Sequence, residues 1–402
     1  MKLHLVNDEK IINRTIGEFE TVFPGENLWV VTNRRRGFRL VEKRDCVVGR
    51  EEFLRSHASR RYDEIYIHLL NPRKISVLQH VDMSHARVYW IIWGLDLYNK
   101  LFVPKGFRLF APGNSGARDK GVGALVKRIG ERLQARRTVR FIERHVDYVV
   151  TDTTENDYDW LTRYYPRLAA KPHKDFFYYP IDVILGPGLM DSQVDGDDIM
   201  IGNSASATNN HEMVIDLLSR LDTGNRRIVV PLSYSGRKEY VEAVSARGHA
   251  AWGDRFVPLL EFLPLDEYSR QQRATSVALF GNLRQEAIGN ILISLYLGAK
   301  VFLPRTNPVY AWAEGHGLRV FALETLDQKE LNTPLDADTR RANREILMSL
   351  YTRDRMHALM RELPVTEEDT LRTRICKGIR ESKMIQEGKL PRRTVQDMLN
   401  DL

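Results

Sequence analysis

Twice along this chain, short apolar runs alternate with helical patterns, and a stretch suited to neither separates the two series. In the first series, residues 2–7, 28–32, 46–49, 64–70, 88–93 and 148–151 read as strands. Residues 8–23 read as an amphipathic helix with Ile11, Ile12, Ile16 and Phe19 on one face, stopped by Pro24-Gly25. Residues 51–61 are helical, and 99–123, rich in Gly and Pro, read as loop or a short insertion. Such alternation predicts an α/β protein, with parallel sheets covered by helices on both faces.

The break lies between Tyr179 and Ile199, where Pro180, Gly186, Pro187 and Gly188 interrupt structure and residues 191–198 are polar and acidic. Beyond it the rhythm resumes. Strands are predicted at 199–202, 227–232, 256–262, 277–280, 300–303 and 319–322, with helices at 239–247, 265–274 and 285–297. After about Asp327 the chain is charged and helical. With 402 residues, two domains are expected: 1–185, a linker at 186–198, 199–365, and a helical tail at 366–402.

A net charge of +7 favours anionic partners: nucleic acid, a membrane face or phosphorylated substrates. Two cysteines, Cys46 and Cys376, are too few for a disulfide framework or a zinc site and suggest a reducing compartment. The N-terminal residues turn polar too quickly for a signal peptide, and no apolar run is long enough to span a bilayer. A cytoplasmic location is the expectation. Neither a Walker A pattern nor a Gly-x-Gly-x-x-Gly fingerprint follows the first strand, which disfavours an NTPase or a simple dinucleotide enzyme.

Several constellations can carry chemistry. Ile199-Met200-Ile201 leads into Gly202-Asn203-Ser204 and then Asn210-His211-Glu212, a strand, a small-residue loop and a helix start that suit a bound phosphate. Tyr234 follows the strand at 227–232 in a polar loop and can meet a phosphate or sugar, or serve an ordinary turn. Gln285, Glu286, Gly289 and Asn290 cluster at a helix start after the strand at 277–280, where a diphosphate or sugar could sit. Asp96 lies just past Trp90-Ile91-Ile92-Trp93-Gly94, as a general base or as the cap of the following turn. His68, in an apolar strand, is a core histidine or an alternative base. The basic stretch 126–145 carries Lys127, Arg128, Arg132, Arg136, Arg137, Arg140 and Arg144, interleaved with apolar residues such as Leu125, Ile129 and Leu133 and opposed by Glu131 and Glu143. It can lie on an anionic membrane or form a solvated face. Arg34-Arg35-Arg36 adds to the basic surface. Asp157-Tyr158-Asp159 falls in a helical pattern and Asp195-Gly196-Asp197-Asp198 in the linker, so both acidic groups read as structural and no metal is expected.

Together the motifs resemble glycosyltransferase family 56, the TDP-N-acetylfucosamine:lipid II N-acetylfucosaminyltransferases of enterobacterial common antigen synthesis. The resemblance runs in order from Asn13-Arg14-Thr15 through His68, Trp90 to Tyr98, Tyr179-Pro180, Gly202-Asn203-Ser204, Val229-Val230-Pro231 with Tyr234, Leu260-Glu261-Phe262 and Arg284 to Gly289, and ends at Asn307-Pro308. It implies a GT-B fold, two Rossmann-like domains facing across a cleft. It also implies a nucleotide-diphosphate sugar donor, held mainly by the second domain, and a lipid-linked glycan acceptor approaching the first. Transfer is then expected without metal or other cofactor. Gly202, Asn203, Ser204, Gly289 and Asn290 would hold the diphosphate through uncharged donors, with Tyr234, Gln285 and Glu286 beside them, and Asp96 or His68 as base. Lys127, Arg128, Arg132, Arg136, Arg137 and Arg140 would contact the anionic inner-membrane surface or the acceptor. Two rivals are an epimerase of the same architecture, acting on the nucleotide sugar alone, and a non-catalytic nucleic-acid-binding protein. The second is disfavoured because no nucleic-acid motif is present.

Overall fold

The computed structural model describes residues 1–33, 37–114, 122–152, 156–185 and 188–364. The Arg34–Arg36 cluster, Cys376 and the expected tail at 366–402 lie outside them. The first sheet contains β1 (Lys2–Val6), β2 (Asn27–Val31), β3 (Val47–Gly49), β4 (Glu64–His68), β5 (Arg87–Ile91), β6 (Tyr148–Thr151) and β7 (His173–Asp175), in spatial order β3-β2-β1-β4-β5-β6-β7. The second contains β8 (Asp198–Ile201), β9 (Ile228–Pro231), β10 (Phe256–Leu259), β11 (Thr275–Leu279), β12 (Lys300–Leu303) and β13 (Phe321–Ala322), in order β10-β9-β8-β11-β12-β13. Every strand pair is parallel. Leu5 of β1 lies between Val30 and Ile67 of its neighbours, and all five residues of β1 are buried, as a central strand covered on both faces requires.

The helix Lys10–Val22 places Ile12, Ile16 and Phe19 in the core and ends before Pro24 and the positive-φ Gly25. One apolar cluster fills the back of the first sheet and another the back of the second. A third is shared: Phe176, Phe177 and Ile181 pack in one cluster with Ile288, Leu292, Tyr351 and Met360. The two halves are thus bonded through a common core as well as a linker.

Four features differ from the sequence reading. Residues 95–102 form a π-helical segment and 103–105 a 3-10 turn, so the expected 99–123 loop is partly helical, and a helix begins at Val122. The strand β7 is short and polar, with no apolar run to reveal it. The helix expected from 285 starts at Ile288, because Ala287 takes a left-handed backbone (φ +65°). The last described helix, Arg353–Glu362, was expected in the second domain but packs on the first: Arg353 and His357 bond Glu18 of the helix Lys10–Val22 at 2.8 and 2.6 Å.

Candidate active site

Strand order reverses between β1 and β4 in one sheet and between β8 and β11 in the other. Loops beyond the carboxyl ends of strands at such reversals form the crevice where open α/β sheets bind ligands. Here the two crevices face each other. Asn210 joins them: its Oδ1 accepts from Ala111 N at 2.9 Å and Asn114 Nδ2 at 2.8 Å, while its Nδ2 donates to Gly281 O at 2.8 Å. Gly94 also meets the opposite half. Its φ is +76°, and a Cβ there would stand 2.9 Å from Gln285 Oε1 and 3.1 Å from Gln285 O. Only glycine accommodates both conditions.

Between the halves lies a cavity of about 180 Å3, lined by Trp93, Asp152, Tyr178 and Tyr179 from the first half and Arg284 to Ile288 from the second. It abuts the helix Ile288–Leu297. The first backbone bond into that helix runs from Ile291 N to Ala287 O, so the N–H groups of Ile288, Gly289 and Asn290 lack intrahelical partners and point towards its N-terminal end. The buried Arg284 adds a full positive charge. Its guanidinium bonds Glu286 at 3.1 Å and Gln285 O at 3.0 Å, and its Nε has no partner among the described residues. Glu286 also accepts from Thr208 Oγ1 at 2.7 Å and Asn282 Nδ2 at 2.8 Å. The Arg284 charge is balanced by its pairing with Glu286, and the helix dipole and orphan donors are what favour an anion at this corner.

Asp96 does not line the cavity. It is 2% exposed, and its carboxylate accepts three N–H bonds: Leu70 N at 2.8 Å and Trp90 Nε1 at 2.7 Å on Oδ2, Trp93 N at 3.0 Å on Oδ1. Burial raises its pKa, against the pull of those donors. A carboxylate so enclosed ties the loop after β4 to the loop after β5. That is the geometry of a positioning carboxylate, set beside the expectation of a general base.

His68, expected as a core histidine or an alternative base, is enclosed in the same way. Asn27 Nδ2 donates to Glu20 and to Phe23 O, so its Oδ1 faces His4 Nε2 as an acceptor at 3.1 Å. The proton order follows outward: His4 Nε2–H to Asn27, His68 Nε2–H to His4 Nδ1 at 3.1 Å, Tyr178 O–H to His68 Nδ1 at 2.6 Å, and Trp93 Nε1–H to Tyr178 at 2.8 Å. Burial holds both imidazoles neutral, lowering His4 to about 3 and His68 well below the usual range. The relay fixes Tyr178 and Trp93, which line the cavity; His68 supports it from the core.

Residues 137–342 match the family described as 4-alpha-L-fucosyltransferase glycosyl transferase group 56. The chain belongs to glycosyltransferase family 56. Its fold is GT-B, shared with solved glycosyltransferases of low identity. The Anabaena HepE structure in complex with UDP and glucose is 10% identical, with a TM-score of 0.61 over 90% of this chain and 98% of that one. Sucrose-phosphate synthase from Thermosynechococcus elongatus is 10% identical, with a TM-score of 0.59 over 90% and 97%. A Burkholderia multivorans trehalose 6-phosphate synthase is 9% identical, with a TM-score of 0.55 over 98% and 99%.

In this family 56 transferase the expected donor residues divide. Gln285 and Glu286 line the cavity. Gly202 (φ +68°) lies at the carboxyl end of β8, and a Cβ there would be 2.8 Å from Asn209 Oδ1 and His211 Nε2. Its N–H bonds Leu279 O of β11, and Asn203 N bonds Asn209 Oδ1 within the loop. Ser204 is buried and its Oγ accepts from Asn209. Gly289 gives room to the Tyr179 ring across the interface, and Asn290 Oδ1 accepts from Tyr268 at 2.5 Å. Tyr234 is exposed, accepts from Asn203 Nδ2 at 3.3 Å and stacks at 5.6 Å on the exposed Phe262.

Two residues were missed as site candidates. Arg284 stands inside the run Arg284 to Gly289, and its place in the loop past the carboxyl end of β11 was the available signal. Asp152 is the first residue after β6, the place where parallel sheets present functional side chains; Tyr351 donates to it at 3.3 Å. Nearby Asp157 is buried and accepts from the Tyr98 hydroxyl; burial pushes its carboxyl up to about 7. The cations Lys127, Arg128, Arg132, Arg136, Arg137 and Arg140 all lie on the exposed part of the helix Val122–His145. No helix among the described residues is long and apolar enough to cross a membrane.

Proposed function

We propose that this transferase takes a deoxy, N-acetylated sugar from a dTDP-linked donor and passes it to a polyprenyl-diphosphate-linked glycan in bacterial surface polysaccharide synthesis. The observation that carries the donor half is the cavity corner where Arg284 meets the bare N-terminus of the helix Ile288–Leu297. A departing diphosphate there gains from the unpartnered Arg284 Nε–H and from the orphan N–H groups of the helix, which need no reorganisation. Gln285 and Glu286 face the sugar or ribose. Gly202, Asn203 and Ser204 form the loop beyond β8, and the stacked Tyr234–Phe262 pair offers a platform for the base. Family membership supports the sugar class and the nucleotide.

Asp152 is the acceptor-side base in this proposal, facing Arg284 across the cavity. A cavity of about 180 Å3 is below the roughly 300–1,000 Å3 usual for ligand pockets. The halves therefore part at the Gly94–Gln285 and Asn210 contacts to admit the donor. Lys127, Arg128, Arg132, Arg136, Arg137 and Arg140 face the inner surface of the cytoplasmic membrane, where a lipid-linked acceptor resides.

The test is transfer itself. Purified protein is incubated with dTDP-, UDP- and GDP-sugars, with and without a polyprenyl-diphosphate saccharide, and products are read by mass spectrometry. A glycolipid heavier by one sugar, formed from the dTDP donor, is the expected result. A changed nucleotide sugar without acceptor would mean an epimerase instead, and no product from any donor would overturn the assignment.

A further inference from the structure

The helix Val122–His145 is anchored by only part of its length. Its buried residues, among those described, are Ala135, Thr138 and Ile142, all in the C-terminal half. From Leu125 to Leu133 every side chain stands in solvent except Glu131, which is partly covered. Leu125, Val126, Ile129 and Leu133 are 51–65% exposed. At the helical repeat they fall within one arc of about 100°. An isolated helical tip in water has no reason to carry four bare aliphatic side chains on one face.

The same arc continues into the anchored half as Arg136 and Arg140, with Arg132 at its edge. There a groove of about 420 Å3 opens between this helix, the turn Val103–Lys105 and the segment Pro166–Ala170. Lys105, Arg132, Arg136, Arg140 and Arg167 line it, with Glu143 as the single carboxylate. None of these five cations has an ion-pair partner among the described residues; Lys105 lies 5.1 Å above the Tyr165 ring. Cations gathered without counter-charge raise the local potential and draw in an anion. The groove shares no lining residue with the cavity between the halves.

We propose that tip and groove form one docking device for an anionic bilayer. The aliphatic arc enters the headgroup–acyl boundary, and the groove receives the phosphodiester of an anionic glycerophospholipid. The order along one face, apolar at the end and cationic behind it, matches the order met on entering a leaflet at a tilt. The site rests on the membrane-side reading above only for its purpose, since its evidence lies wholly outside the cavity.

The test is co-sedimentation of the full chain with phosphatidylcholine vesicles and with equal-part phosphatidylcholine–phosphatidylglycerol vesicles. Thermal melting, with and without dTDP, checks fold and donor site in each variant. The parent should sediment with the anionic vesicles only. Lys105→Ala with Arg167→Ala should weaken that binding about thirtyfold, at about fivefold per cation near an anionic leaflet. Ile129→Gln with Leu133→Gln should weaken it about tenfold or more. Glu143→Gln should strengthen it. Melting and the dTDP shift should stay at the parent's values throughout. A parent that ignores anionic vesicles, or cation variants that bind them as the parent does, would overturn the proposal. So would soluble glycerol phosphate stabilising the parent without any vesicle binding, which would make the ligand a free phosphate ester. Loss of sugar transfer with vesicle binding intact would count against the transferase reading alone.

Discussion

Replacing Asp96 separates a positioning carboxylate from a general base. Its carboxylate satisfies three buried N–H donors: Leu70 N, Trp90 Nε1 and Trp93 N. A buried donor left without a partner costs about 1–3 kcal/mol. Asp96→Ala orphans all three, and with some relaxation the loss of stability should be about 4 kcal/mol. Asp96→Asn keeps one oxygen but turns an NH2 group towards at least one of the donors. Burial already works against the charge here, so the neutral amide recovers part of the loss, leaving about 2 kcal/mol. Urea unfolding at pH 7 reads both values. In the Asp96→Asn variant, turnover below its melting temperature should stay within about tenfold of the parent, whereas losing a general base costs roughly a hundredfold to ten-thousandfold. An Asp96→Asn protein with parental stability and turnover reduced about a hundredfold or more would refute the positioning role and restore Asp96 as base.

Asp152→Asn should do the opposite, lowering kcat by about a hundredfold or more while urea midpoint and dTDP affinity stay near the parent's. Gly94→Ala places a methyl group 2.9 Å from Gln285 Oε1 at a φ of +76°, so it should hold the halves apart; small-angle scattering with dTDP would show an expanded particle, and KM for the donor should rise. Stability should also fall in mild acid. His4 and His211 are lowered to about 3 and His68 well below its usual range, so the unfolded chain takes up protons below about 6.5 that the fold refuses. Asp157, raised to about 7, works the other way from about pH 7 down to its unfolded value near 3.8, and the raised Asp96 adds to it. Three imidazoles against these carboxyls leave a loss of about 1–3 kcal/mol per pH unit between about pH 6 and 4, measurable as a falling urea midpoint. A midpoint that rises with acid over that range would contradict the burial of the three rings.

The strand–helix rhythm was legible because parallel strands covered on both faces are near-continuously apolar: β1, β5, β6, β8 and β12 lie within or next to the runs that announce them. β7 escaped because its His-Lys-Asp sequence has no such pattern. The start of the helix at Ile288 was misplaced because an alanine at positive φ leaves no trace in composition. Site residues were harder to read. Asp96 and His68 are polar residues in apolar surroundings, and a sequence does not distinguish a side chain aimed into a cleft from one enclosed by donors brought in from elsewhere. The partners that decide the matter are Trp90 and Leu70 for Asp96, and His4 and Tyr178 for His68, up to 110 residues away. Arg284 and Asp152 were identifiable only from their places at the ends of strands facing across a gap.

A calorimetric titration of dTDP into the parent and into Arg284→Gln tests most directly where the diphosphate is gripped. A hydrogen bond to a charged group contributes about 1.5–3 kcal/mol, so the parent should bind with measurable heat and Arg284→Gln roughly ten- to a hundredfold more weakly. Equal affinity in the two proteins would place the diphosphate elsewhere, and no binding of dTDP, UDP or GDP to the parent would contradict a nucleotide site between the halves.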